Sequence, residues 1–377
     1  MVKLRTGIVG YGKAAHLHTA ALRSARESNL VAVCGRRIER ARAFADQYGI
    51  TAYASVSEMI KAGGVQVVVL CTPHPAHRQD CLEAVENGAH ALVEKPLASS
   101  LADCDLMIEA ARSSRVRLGV VSQRRFYAPC QRVKKAILEG RIGRPILGTA
   151  ELYGWRSESY YASDPWRGKW DAEGGGVLVN QSPHQLDLLL WYMGEIDSLY
   201  GCWDNFNHPY IEVEDTAIAV IRFKSGALGN IVVSNSQNPA LCGKVHVYGQ
   251  NGASIGAQTD GGAMFIVGIS DIEEPPTNDL WTIPGEEEML KKWQEEDSSF
   301  FHSVNAMEHY HRLQAQDFLR AIIDDHEPLV TAADGRRTVE LFTAIYRSQR
   351  DAKPIKFPLT SDDNRADFDG RTPGRAG

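Results

Sequence analysis

Through its first third the chain alternates short apolar runs with amphipathic stretches. The runs “LRTGIVGYG”, “NLVAVCGRR”, “VQVVVLCTP”, “HALVEKP” and “RLGVVSQRR” are β-rich. Near-continuous hydrophobicity, as in “VQVVVL”, marks strands covered on both faces. Between the runs, “AAHLHTAALRSARES”, “IERARAFADQYG”, “VSEMIKAG”, “AHRQDCLEAVENG” and “SLADCDLMIEAARSS” carry helical spacing. Gly49 closes one of these, a common helix stop. Strands alternating with helices predict parallel strands joined by crossover helices, an α/β doubly wound sheet.

Past about Arg125 the rhythm changes. A helix, “APCQRVKKAILEGRIG”, precedes “PILGTAELYGW”, a strand of alternating character. An aromatic, glycine-rich loop then runs to Gly176 and into a stretch that predicts another helix. “TAIAVIRFKSGALGNIVVSNSQ” predicts two strands about a Ser-Gly turn, and “GKVHVYGQNGASIGA” a hairpin with Asn-Gly at its tip. Successive hairpins build an antiparallel or mixed sheet, so an α+β second domain is expected. Residues 257–305 are acidic and predict an irregular surface excursion. Helices are expected over about His309 to Asp324 and over “ADGRRTVELFTAIYRSQRD”. The expected boundaries are 1–124 for the first domain, 125–358 for the second, and 359–377 for a disordered polar tail.

Composition narrows the partners. With 377 residues and 44 % apolar content, the chain is long enough for two cored domains. A net charge of −6 argues against a nucleic-acid partner, which usually meets a basic excess. No apolar run is long enough to span a bilayer. The N-terminus, “MVKLRTGIVGYG”, enters a strand directly, so no secretory leader is expected. The seven cysteines lack CxxC spacing and are expected to be reduced thiols in a cytoplasmic protein.

The first chemistry-bearing motif is Gly10-x-Gly12-x-x-Ala15, between a predicted strand and a predicted helix. In a dinucleotide fold the first glycine makes a tight turn and the second lets backbone approach the pyrophosphate. A small third residue, here Ala15, permits helix–strand packing. The helix that Lys13 and Ala14 open would offer its free N–H groups to phosphate. The second strand ends in Cys34-Gly35-Arg36-Arg37, with no acid for a ribose 2′-hydroxyl. Two arginines favour the phosphate of NADP(H), with NAD(H) possible. Alternatively they form a solvated helix start, or stack on adenine without discriminating.

The second is “EGGGVLVNQSPHQLD”, Glu173 to Asp187. On one helix Asn180, His184 and Asp187 would share a face. The preceding glycines would let backbone run close to something flat, such as a nicotinamide or substrate.

Together with “CTPHPAH” (Cys71 to His77), “EKP” (Glu94 to Pro96) and “PWRGKW” (Pro165 to Trp170), these segments resemble the glucose–fructose oxidoreductase, inositol dehydrogenase and MocA family. The resemblance runs to about residue 358. It implies an N-terminal Rossmann domain, a C-terminal domain with a large open sheet and an active site between them. The outer face of that sheet would form a homodimer or homotetramer. The implied chemistry is hydride transfer between NAD(P) and a carbohydrate or inositol. His184 matches the family's acid/base histidine, and Lys95 the lysine that polarises the reacting oxygen. Glu94 would steady the turn and Pro96 fix the backbone after it. Where many members carry Asp, this chain has Asn180, which can orient substrate but cannot take a proton. Cofactor contacts are expected from Gly10, Gly12, Lys13, Ala14, Gly35, Arg36, Arg37, Thr72, Pro73, His74, His77, Glu94 and Lys95. The resemblance places Trp166 and Arg167 near the nicotinamide, and Gln123 and Arg125 on the cleft.

The loop “AELYGWRSESYYASDPWRGKWD” would supply the substrate wall through Tyr153, Trp155, Arg156 and Lys169. Aromatic faces suit the C–H faces of sugar and cyclitol rings, and the polar groups suit hydroxyls. The basic residues could instead recognise an anionic sugar. Asp187 could orient the His184 ring or make a helix-to-loop hydrogen bond. His309 and His311 are possible rim residues, and no metal site is expected. Three functions compete: a sugar, glycoside or cyclitol oxidoreductase; a glycosidase working by transient sugar oxidation; and a non-enzymatic nucleotide or sugar sensor. A sensor needs neither Lys95 nor His184.

Overall fold

The computed structural model describes residues 2–241, 243–259 and 274–360. They divide into two compact units. One is Met1–Gln123 with Asn305–Arg336, and the other Arg124–Val304 with the described residues from Arg337 onward.

The first unit holds strands β1 (Leu4–Val9), β2 (Ser28–Cys34), β3 (Thr51–Tyr53), β4 (Val67–Leu70), β5 (His90–Val93) and β6 (Leu118–Val120). They form one parallel six-stranded sheet in the order β3-β2-β1-β4-β5-β6. The crossovers carry α1 (Lys13–Ser24), α2 (Ile38–Tyr48), α3 (Val56–Lys61), α4 (His74–Glu86) and α5 (Leu101–Ser113). The apolar run that predicts a doubly covered strand is β4, all four residues of which are buried.

The chain comes back to this unit after residue 305. Between lie α6 (Ala128–Leu138), β7 (Pro145–Tyr153), α7 (Glu158–Ala162), α8 (Pro183–Met193), β8 (Ile196–Asp204), β9 (Thr216–Phe223), β10 (Leu228–Ser234), β11 (Gly243–Gly249), β12 (Ser254–Thr259), β13 (Thr277–Trp281) and α9 (Met289–Ser303). Then α10 (Ala306–Ile323) packs Ala315, Phe318 and Leu319 into the core of Ile8, Val33, Val69 and Leu92. Its buried Gln314 also accepts from the Ser122 N–H at 2.9 Å and donates to the Val120 carbonyl at 2.8 Å. The single boundary near residue 124 is therefore a first crossing, with Asn305–Arg336 returning to the first unit.

The second unit is built on eight strands in the order β13-β12-β11-β7-β10-β9-β8-β14, the last being Ile355–Lys356. β7 and β10 run parallel and the other pairs antiparallel, so the sheet is mixed. On one face α8 lies so close that a Cβ on Gly148 would sit 2.6 Å from Met193. On the other, Ile218 (50 % exposed) and Val220 (62 % exposed) of β9 point outward, with Tyr200 of β8 and Leu228 of β10 also exposed.

One expected element needs correction. The acidic segment 257–305 is not an irregular excursion throughout, because it contains β13 and the 15-residue α9. Arg132 pairs with Asp297 of α9, and Trp293 stacks edge-on against Trp281 at 4.9 Å. Few anchors on a charged surface helix leave a weak periodic signal. Strand β8 was also missed, its pattern diluted by Asp197, Ser198 and Gly201. The expected tail lies, from residue 361 on, outside the described residues. No helix among the described residues is long and apolar enough to cross a membrane.

Candidate active site

In the first unit the strand ends make a nucleotide cradle. Gly10 has φ +102°, and a Cβ there would lie 3.1 Å from the Cys71 carbonyl group. Gly12 is the N-cap of α1, with open space where a Cβ would be. No side chain among the described residues caps this helix, and its first turn holds no acid. Free N–H groups, a positive dipole end and room for backbone approach all fit a pyrophosphate. Lys13 is exposed beside them. The Tyr11 ring lies so close to Gly35 that a Cβ would meet it at 2.4 Å. Arg36 and Arg37 are exposed, with Arg37 the N-cap of α2.

The turns after β4 and β5 are tied together. Buried His77 approaches the Thr72 carbonyl through Nε2 at 2.8 Å and the Pro96 carbonyl through Nδ1 at 3.0 Å. With both ring nitrogens on backbone carbonyls, His77 supports the cradle from behind. This differs from the direct cofactor contact expected of it. Burial lowers its pKa. Thr72 Oγ1 donates to Asp80 at 2.7 Å, Pro73 is exposed and His74 is buried at the start of α4.

Glu94 braces Lys95. Its Oε2 accepts from the Lys95 N–H at 3.0 Å, and its Oε1 meets His18 Nε2 at 2.7 Å. Burial alone would raise this carboxyl. The His18 hydrogen bond, with positive charge from His18, His311 and Lys95, outweighs that and holds it at about 2. His311, expected at a rim, is buried edge-on against His18 at 5.1 Å, and burial lowers its pKa to about 4. Among the described residues, His18, Glu94 and His311 bring three metal-type donors within 4.8 Å of one another. Two of them are already joined as a hydrogen-bonded pair.

In the second unit the predicted single helix is two pieces. Val177–Gln181 is a π-helical turn, with Ser182 N–H donating to the Val177 carbonyl at 2.9 Å, and α8 begins at Pro183. The wider turn breaks the α-helical spacing between Asn180 and His184 that a shared face requires. Such turns are frequent at functional sites. The Asn180 amide donates to Glu173, which also accepts from the Gly168 N–H at 2.5 Å. Tyr160 Oη gathers Arg167 at 2.6 Å and Gln181 at 3.1 Å. His184 is 9 % exposed.

Two of the three glycines approach protein groups. A Cβ on Gly175 would sit 2.3 Å from Tyr346 Oη, and one on Gly176 1.8 Å from the Glu214 carbonyl oxygen. The expected flat ligand is thus replaced here by a glutamate and a tyrosine. Glu214 Oε2 accepts from Gly176 N–H at 2.9 Å, and Oε1 from Leu178 N–H at 3.0 Å and Tyr346 O–H at 2.9 Å. Its main-chain oxygen accepts from Val177 N–H at 3.2 Å. Burial pushes the Glu214 carboxyl up to about 7 against the pull of these donors.

The arginines expected at the wall divide. Arg125 is buried and forked onto Asp187, with Nε–Oδ2 at 2.8 Å and Nη2–Oδ1 at 2.6 Å. Arg156, also buried, donates to the Trp155 carbonyl at 2.7 Å. Their planar forks suit fixed internal acceptors, so each contributes to the frame. Arg167 lies over Trp166 at 4.4 Å and pairs with Asp164. Tyr153, Trp155 and Trp166 are half-buried and Lys169 is exposed. Gln123 is buried.

Comparison with known proteins places the chain in a family. Residues 4–122 match the oxidoreductase family with the NAD-binding Rossmann fold, and residues 130–255 the GFO/IDH/MocA C-terminal domain. The 1,5-anhydro-D-fructose reductase of Ensifer adhaerens is 30 % identical over 262 residues, covering 67 % of this chain and 75 % of that one. The WlbA dehydrogenase of Bordetella pertussis, crystallised with NADH and UDP-GlcNAcA, superposes with a TM-score of 0.83 at 30 % identity, covering 95 % of this chain and 99 % of that one. This chain belongs to the Gfo/Idh/MocA family of oxidoreductases. The scyllo-inositol 2-dehydrogenase (NAD(+)) of Bacillus subtilis is a further relative, 25 % identical over 363 residues, 95 % of this chain and 97 % of that one.

For a Gfo/Idh/MocA chain, three residues that hold the motifs lie outside the sequence expectations, His18, Glu173 as the Asn180 partner and Glu214, while Tyr160 of the expected aromatic wall is a hydrogen-bond hub. One signal was available for Glu214. “VEDTA” puts two acids directly before a strongly alternating strand, where burial must be compensated by donors.

Proposed function

We propose that this protein is an NAD(P)-dependent dehydrogenase or reductase acting on a secondary alcohol, or the matching ketone, of a sugar, glycoside or cyclitol. The observation that carries the reading is the pairing of motif and support: Lys95 and His184 are both present, the Lys95 N–H is held by the half-buried Glu94, and the turn before His184 by the buried Glu214. The relatives named for 1,5-anhydro-D-fructose and scyllo-inositol, and the one crystallised with UDP-GlcNAcA, support this substrate class.

The nicotinamide, when bound, supplies or accepts the hydride. Gly10, Gly12 and Lys13 with the α1 N-terminus hold its pyrophosphate, and Thr72 and Pro73 line the neighbouring turn. Lys95 Nζ draws electron density from the reacting oxygen, and an imidazole nitrogen of His184 takes the hydroxyl proton in oxidation or returns it in reduction. Tyr153, Trp155 and Lys169 wall the sugar, and Asn180 orients it. Arg36, with Arg37, favours the extra phosphate of NADP(H). A second copy covers the exposed Ile218–Val220 face, since contiguous apolar surface of this kind marks an interface.

The test is mass spectrometry of products after incubation with NAD+, NADP+ or their reduced forms and a panel of pyranosides, nucleotide sugars and inositols. A change of two hydrogens in an otherwise intact substrate is expected. Release of aglycone without net change in the cofactor would replace this reading with redox-assisted glycoside cleavage.

A further inference from the structure

We propose that Glu214 is a positioning residue for His184, seating the helical segment that carries it. The inference rests on the acid/base reading of His184 above. Its geometry is independent of that reading.

Three successive N–H groups, of Gly176, Val177 and Leu178, open the segment, and all three donate to Glu214. A helix start leaves such donors without partners inside the helix, and capping normally comes from the residue just before. Here the acceptor comes from 38 positions later than Gly176, at the entry to β9, so the segment is fixed to the sheet. Tyr346 of α11 (Ala332–Asp351) clamps the same carboxylate from behind. Bare backbone at Gly175 and Gly176 permits the approach, since any Cβ would overlap Tyr346 or Glu214. Ser182 then links the π turn to α8, where His184 is the second residue. A shift of the first turn is transmitted over one short, hydrogen-bonded path. Among the described residues, the titratable groups that act on the seat are Tyr346 on α11 and, through Tyr346, Glu173 in the preceding loop.

Glu214→Gln keeps the shape but turns an amide donor toward groups that also donate. The full-length protein is followed in two ways without substrate. Hydrogen–deuterium exchange reads the Gly174–Gln181 amides, and NMR of 13C-labelled histidine reads the His184 titration, assigned with His184→Asn. With cooperative unfolding retained, the variant is expected to exchange this segment at least about tenfold faster. It should move the His184 midpoint by about half a pH unit or more and leave NADH fluorescence titration within about twofold. Tyr346→Phe, which removes one donor and keeps the carboxylate, is expected to change both readouts in the same direction by less; it serves if Glu214→Gln does not fold. Unchanged exchange and an unmoved His184 titration in a folded variant overturn the proposal. Faster exchange with a shifted titration supports the seat even if His184→Ala retains turnover, and that retention would remove the acid/base reading alone.

Discussion

Glu94, in the nucleotide-binding unit, and Glu214, in the sheet unit, are both carboxylates turned inward onto a backbone turn. Glu94 is held at about 2 and Glu214 is pushed to about 7. Burial raises both; the difference is what it is set against. Around Glu94 the His18 hydrogen bond and the nearby Lys95 charge favour the anion. Around Glu214 the principal opposing groups are neutral donors, two backbone N–H groups and a tyrosine hydroxyl, which offset desolvation only in part. The same residue type is therefore a permanent anion beside Lys95 and a titrating group on the path to His184.

The contrast can be broken at several points. The largest expected effect is on turnover: Lys95→Met should slow it by about 10²–10⁴-fold with NADH binding retained. A loss below about tenfold, read by steady-state kinetics, would contradict the role of Lys95. Next is the buried Arg125–Asp187 fork. Asp187→Ala removes the forked acceptor of a buried guanidinium and should cost about 3–5 kcal/mol in urea unfolding. A cost below about 1 kcal/mol would mean that water enters the pair.

The glutamates themselves predict opposite pH signs. Because Glu94 is lowered, its contribution is present above the usual carboxylate range and lost as pH falls toward about 2. Because Glu214 is raised, its contribution is full below the usual range and lost as pH rises through about 7. Glu94→Gln should therefore cost on the order of 3 kcal/mol at neutral pH. Relative to Glu214→Gln, the wild type should lose up to about 3 kcal/mol between pH 4.5 and pH 8. Urea midpoints across that range test both, and parallel curves for wild type and Glu214→Gln would contradict the second. The smallest effect is on cofactor choice. Arg36→Ala should weaken NADP binding about tenfold and NAD binding much less, and equal losses in isothermal titration would end the NADP preference.

Much of the first unit was legible because its information is local. Gly10 and Gly12 adjoin a strand, “EKP” is contiguous, and all four residues of β4 are buried. The return of α10 was not legible, since Gln314 meets Val120 across 194 positions. In the second unit the motif “GGGVLVNQSPH” could be read, but not its reason. Its glycines answer to Glu214 and to Tyr346, which lies 132 positions beyond Glu214. The π turn defeated α-helical spacing at Asn180, and Arg125 and Arg156 carried the residue types of a binding wall while serving internal acceptors. Segments whose partners are distant in sequence show their chemistry in the pattern but not their geometry.

His184 is proposed to move the proton of the reacting alcohol. The direct measurement is the rate of nicotinamide reduction by wild type and His184→Ala on a sugar or cyclitol that the product screen identifies. A fall of about 10²–10⁴-fold is expected with cofactor affinity unchanged. Turnover of His184→Ala within a few-fold of wild type would contradict it.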